Sequence, residues 1–185
     1  MRVEIVDDSK SGEPAMTFPP VEDYFDLRKN PREIERITAA RQYLPLRNFL
    51  AAVNSADSVF TSASARAHPQ SPPPDSSGEA NEFSSQASLV FADASLNFRR
   101  DHYAELAARL KGLLEREGGD ALRVILRIVA CQFSDENHQG FGLSIHMIAE
   151  GTSAEQAEMR WGLGLARLQQ ALMFSARALR QQLGA

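Results

Sequence analysis

The chain of 185 residues holds one cysteine, Cys131. No intrachain disulfide can form, so the fold must be held by packing alone. A chain without disulfides suits a reducing compartment, and the expected location is cytoplasmic. No apolar run approaches the roughly 18 residues needed to cross a bilayer. The first eight residues, Met1 to Asp8, are acidic and lack a basic start followed by a long apolar stretch. Neither a membrane span nor a signal peptide is expected. Charge of one sign is also scarce: 24 acidic against 20 basic residues leave a formal net charge of −4. That balance gives no general attraction to a phosphate backbone, so nucleic acid is not an expected partner. Catalytic and metal-binding spacings are missing as well, with no CxxC, HxH or HExxH pattern. Gly142-Leu143-Ser144-Ile145-His146 lacks the second glycine of a nucleophile elbow. No metal and no cofactor is expected, and the chain reads as non-enzymatic.

What is present is ordinary globular composition, 43% apolar and 24% charged, in a length that fits one domain. Residues 1–29 are acidic and rich in turn formers, and read as a partly ordered arm packing Phe18, Tyr24 and Phe25 on a single domain spanning 30–185. Val3 to Val6 is a short strand candidate. Asn30-Pro31-Arg32-Glu33 opens a helix with a cap and a tolerated proline. Pro45 is expected to stop or kink it before a second stretch carrying Leu46, Phe49, Leu50 and Val53. Alternation from Ser58 to Ala67 and from Phe83 onward predicts two strands around a mobile Ser/Pro-rich loop, 68–82. The parity of the apolar residues switches near Asp93 and Ala94, which implies a bulge or turn there.

Tyr103, Leu106, Leu110 and Leu114 form a helical stripe ending at Gly118-Gly119. Leu122 to Phe133 and Gln139 to Ala149 are strands joined by a polar turn, a likeness to an antiparallel hairpin. The last element, from about Thr152 to Leu183, starts with the capping-box pattern Thr152-Ser153-Ala154-Glu155. The order is therefore roughly α-β-β-α-β-β-α, an α+β class with a mostly antiparallel four- or five-stranded sheet packed by helices and a long C-terminal helix. In element order alone this resembles secretion-chaperone-like and roadblock/longin-like folds, with no shared motif.

Three groups of residues are candidates for function. Cys131 and His146 lie on the two strands of the second hairpin, and with Trp161 they could line a ligand pocket between sheet and helices. Read plainly, the cysteine is a small buried hydrophobe and the histidine an outward polar residue. Arg123 and Arg127 share one strand parity with Ile125, Val129 and Cys131, and either form a basic face or pair with acids on a neighbouring strand. The third group is the helix interface Trp161, Gly162, Gly164, Leu165, Leu168 and Leu172. Each glycine inside a helix costs roughly 1 kcal/mol relative to alanine, which fits places where another backbone or side chain comes close. Either the helix packs tightly on its own sheet with Trp161 as anchor, or it meets a second copy. Leu163, Ala166, Met173 and Phe174 widen the stripe beyond what one sheet covers. The expectation is an adaptor- or chaperone-like module, homodimeric, with a protein or peptide partner; the alternative is a small-molecule-binding or enzymatic domain near Trp161 and His146.

Overall fold

The computed structural model describes residues 1–10, 13–20, 24–70, 81–116, 121–135 and 138–183. The expected helix stop at Gly118-Gly119, the turn residues Glu136 and Asn137, the tip of the Ser/Pro-rich loop at 71–80 and the side chain of Leu183 lie outside the described residues. In chain order the elements are β1 (Arg2–Asp7), β2 (Met16–Phe18), a 3-10 turn (Pro31–Arg36), α1 (Thr38–Gln42), α2 (Leu44–Val53), β3 (Phe60–Gln70) and β4 (Asn81–Phe91). A second 3-10 turn (Ala94–Phe98), α3 (Arg100–Glu115), β5 (Leu122–Phe133), β6 (His138–Gly151) and α4 (Ala154–Leu183) follow. The fold is α+β.

The sheet runs β1-β5-β6-β4-β3, with β2 also on β5. Both expected hairpins form: β3 pairs β4 and β5 pairs β6, each antiparallel, and β4 joins the two through β6. Beyond the four antiparallel hairpin strands the sheet gains parallel partners, giving five strands in line as expected and β2 as a sixth off that line. These partners come from the N-terminal residues. β5 is 12 residues long, and its outer edge is paired in parallel by β1 along Arg123–Ile128 and by β2 along Cys131–Phe133. Unpaired backbone groups on that edge would need water or another chain. Arg2–Asp7 and Met16–Phe18 are thus strands of the sheet, within the segment read from the sequence as a partly ordered arm.

Pro45 stands at the expected break between two helical stretches. α1 ends at Gln42 and Pro45 occupies the first turn of α2, where a missing N–H costs nothing, so the helix breaks as expected and the proline belongs to the start of the second stretch. The preceding segment is a 3-10 turn and a five-residue helix, and Asn30 makes no side-chain cap bond. Beyond β4 the parity switch is a turn. Asp93 Oδ1 accepts from Ser95 N at 3.0 Å, and Asn97 Oδ1 and Nδ2 close both polar groups of the Phe91 backbone at 2.9 and 3.0 Å.

All the helices pack on one sheet face, with α4 between α2 and α3. Strand alternation sends Phe83, Ala87, Leu89, Val124, Leu126, Leu143, Ile145 and Met147 into this side, where they are buried with Trp161, Leu165, Leu168 and Leu172 of α4. The cap of α4 sits one residue later than expected. Ser153 Oγ accepts from Gln156 N at 3.2 Å, and Gln156 Oε1 accepts from Thr152 N at 2.8 Å. Glu155 is left exposed on the first turn.

Candidate functional site

Residue alternation along β6 decides the fate of the expected ligand pocket. Ile145 and Met147 point toward the helices, so His146 between them points to the opposite face. Trp161 lies on the helix side, fully buried. Its indole stacks at 4.5 Å on Phe83 and meets Tyr43 edge-on at 5.8 Å. Its Nε1–H donates to Ser85 Oγ at 2.7 Å. The sheet itself therefore separates Trp161 from His146.

Cys131 shares the open side with His146 but is covered. With Val90 and Phe133 it forms a small second cluster beneath Met16 and Phe18. Burial pushes the thiol up to about 12, so it stays protonated and unreactive at neutral pH. Among the described residues, the sheet separates Trp161 from His146, and Met16 and Phe18 cover Cys131. Trp161 and Cys131 are buried, and His146 faces the side opposite the helices.

The interface residues are also placed inward. Trp161, Leu165, Leu168 and Leu172 belong to the core of this one chain and are buried in it. The glycines mark close approaches within the fold. A Cβ at Gly162 would stand 3.0 Å from Pro45 Cγ of α2. One at Gly164 would stand 3.0 Å from Leu122 Cδ2 and 3.1 Å from Met147 Sδ. The wide stripe foreseen on this helix is real, but its sheet-facing half is already covered.

The other half is not. Successive outward positions of α4 carry Glu155, Met159, Leu163, Ala166, Gln170, Phe174 and Arg177, and all seven are exposed. Met159 is 59%, Leu163 57% and Phe174 63% exposed, although each is a large apolar side chain. Leu44, beside Pro45 in the neighbouring helix, is 63% exposed. A cleft of about 460 Å³ opens between the two helices, lined by Pro45, Met159, Gly162 and Leu163 and rimmed by Glu155 and Glu158. Leu163 and Phe174 were read in the sequence as a widening of the stripe. Met159 and Leu44 were missed, because neither falls on the main apolar period.

On the far side, the sheet face below the N-terminal crossing is polar. The strand registers place Arg127, Ser144, Ser88 and Ser64 in one row, Ile125, His146, Gln86 and Arg66 in the next, and Arg123, Ile148, Ser84 and His68 in a third. Arg66 donates to Gln86 Oε1, whose amide in turn donates to Ser144 Oγ at 3.0 Å. Arg127 pairs with Asp8 at 2.7 Å, which is the neighbouring-strand pairing expected for it. Burial, and then the charges of Arg123, Arg127, Arg66 and His68, hold His146 below the usual imidazole range. Among the described residues no group of three or more His, Cys, Asp or Glu could hold a metal. No described helix is long and apolar enough to cross a membrane. Comparison with protein-family models, curated proteins and solved structures returns no match.

Proposed function

We propose that the protein is a non-enzymatic interaction module, adaptor- or chaperone-like, that acts as a homodimer through the outer row of α4. The observation that carries this reading is the alignment of Met159, Leu163 and Phe174, each more than half exposed, along one line of one helix. Single exposed apolar residues are common on protein surfaces, whereas an aligned set with a cleft beside it marks a contact surface. Sedimentation velocity from about 1 µM to about 1 mM tests it, a range that covers weak association. The unaltered chain is expected to shift from monomer to dimer, and Leu163→Glu to remain monomeric with an unchanged melting temperature. A single monomeric species throughout for the unaltered chain defeats the reading.

A second reading rests on a separate observation, the cationic centre of the open sheet face. Arg123 and Arg127 flank Ile125, the partner of His146, while Arg66 reaches in through Gln86. Such a centre suits a compact anion, because Glu82 and Glu150 at one end and Glu4 and Asp8 at one side work against a long polyanion. Titration with inorganic pyrophosphate, followed by NMR at His146, is expected to raise the imidazole's pKa saturably. Absence of any saturable change removes this reading.

A further inference from the structure

We infer that two copies pair antiparallel along α4 about a two-fold axis at Ala166, each seating Phe174 in the cleft of the other. This inference rests on the homodimer reading and adds the geometry of the contact. The outer row, read from the N-terminal end, is Glu155, Met159, Leu163, Ala166, Gln170, Phe174 and Arg177. Laid antiparallel on itself with Ala166 at the centre, the row matches itself position by position. Glu155 faces Arg177, Met159 faces Phe174, and Leu163 faces the aliphatic part of Gln170. Each contact occurs twice, as a closed two-fold interface requires.

Three independent features agree with this register. The first is shape. Phe174 is 63% exposed and lies 15 residues, or roughly 22 Å along the axis, from Met159. Antiparallel pairing about Ala166 is what brings it to the space between Pro45, Met159, Gly162 and Leu163. The second is charge. The N-terminal end of the row is rimmed by Glu155 and Glu158 and its C-terminal end carries Arg177, so a parallel arrangement would set like charges together and the antiparallel one sets opposite charges together. The third is bulk. The residue at the crossing point is alanine, small enough for helix axes to approach to about 8–10 Å.

The size of the contact sets its strength. From Glu155 to Arg177 the row is roughly 33 Å long. At one helix diameter of about 10 Å, it offers on the order of 350 Å² per copy before Leu44 is added. Both copies together reach about 700 Å², below the ~1,200 Å² of standard stable complexes. The pair is therefore a weak dimer, with dissociation expected in the micromolar range or above.

Disulfide trapping tests the register, with buried Cys131 left in place. The double variant Met159→Cys, Phe174→Cys is expected to cross-link two chains under mild oxidation. Ala166→Cys is expected to cross-link with its own copy at the axis. Met159→Cys alone and Phe174→Cys alone are expected not to cross-link. Charge reversal gives a second readout: Glu155→Arg is expected to weaken association by about threefold or more, and adding Arg177→Glu to restore it. If sedimentation shows a dimer yet Phe174→Cys alone cross-links, or neither the paired variant nor Ala166→Cys does, this register is overturned while the homodimer reading stands. A chain that stays monomeric overturns both.

Discussion

Replacing Ser85 with alanine decides whether Trp161 is a structural anchor or one wall of a binding cleft. The indole is fully buried, and Ser85 Oγ is the acceptor of its N–H at 2.7 Å. Ser85 is itself only 5% exposed, so bulk water cannot take the vacated place. Losing the acceptor leaves one buried donor unsatisfied, at a cost of about 1–3 kcal/mol. The methyl group gains a little from no longer carrying a buried hydroxyl, but that gain is smaller than the desolvation of an orphaned indole N–H. In a chain of this size, about 1 kcal/mol moves Tm by about 2–4 °C. A fall of roughly 2–12 °C is therefore expected on the same basis. Urea unfolding followed by far-ultraviolet circular dichroism measures the cost on every background, including one that lacks the single tryptophan of the chain. Trp161→Phe removes the donor, and on that background Ser85→Ala should cost about 0.5 kcal/mol or less, giving a coupling of about 1–2 kcal/mol. Equal costs of Ser85→Ala on the two backgrounds would refute the hydrogen bond as an anchor and reopen the face of the indole to a ligand.

Two further perturbations probe the helix layer and the sheet edge. Gly164→Leu drives a branched side chain against Leu122 and Met147, which already stand 3.0 and 3.1 Å from the position of a first carbon. Overpacking of that kind costs about 1–3 kcal/mol, read as a lower urea midpoint, and an unchanged midpoint would show that the helix has room to shift. At Asp7 the hydrogen bond from Arg100, and then those from Ser9, hold the carboxyl at about 2, below its ordinary 3.8. The unfolded chain binds the proton more readily, so this contribution is complete above the ordinary value and disappears as pH falls from 3.8 to about 2. The pair is partly exposed, and solvent screening keeps its contribution small. Asp7→Asn should lower the urea midpoint at pH 7 and leave it unchanged near pH 2, whereas an equal loss at both would point to packing instead of charge.

Much of the architecture was legible because periodicity carries it. The alternation of Phe83, Ala87, Leu89 and Phe91 and the stripe Tyr103, Leu106, Leu110 and Leu114 are buried as their spacing predicts. β1 and β2 were weakly marked because a strand of six or three residues at the edge of a sheet is chosen by the partner it meets, here β5, and not by its own pattern. Pro45 could be read as a stop or a start, since the same missing N–H is tolerated in a first turn and harmful later. Parity sets His146 apart from Trp161: His146 and Met147 are neighbours in sequence and occupy opposite sides of one sheet. The outer row of α4 was only half visible. A helix whose inner stripe is strong masks a second, sparser stripe offset around its axis, and Met159 falls on that second one.

The two surfaces differ in what they can do together, because they lie on opposite sides of the molecule. Pairing two copies through α4 places the helix layers inside and the sheets outside, in four layers. Sheet and helix layers are separated by about 10 Å, and packed helices by about 8–10 Å. The two cationic centres at His146 would then face away from each other, roughly 30 Å apart by the same spacings. A dimer of this kind buries none of Arg66, Arg123 or His146, so it leaves any anion site intact in both copies. It also doubles the sites on one particle, which raises apparent affinity for a partner bearing two anionic groups without any new contact. Leu163→Glu should therefore leave the pyrophosphate response of His146 unchanged, since only assembly is altered. If that response is lost along with the dimer, the open face depends on the second copy, and this layered arrangement is wrong.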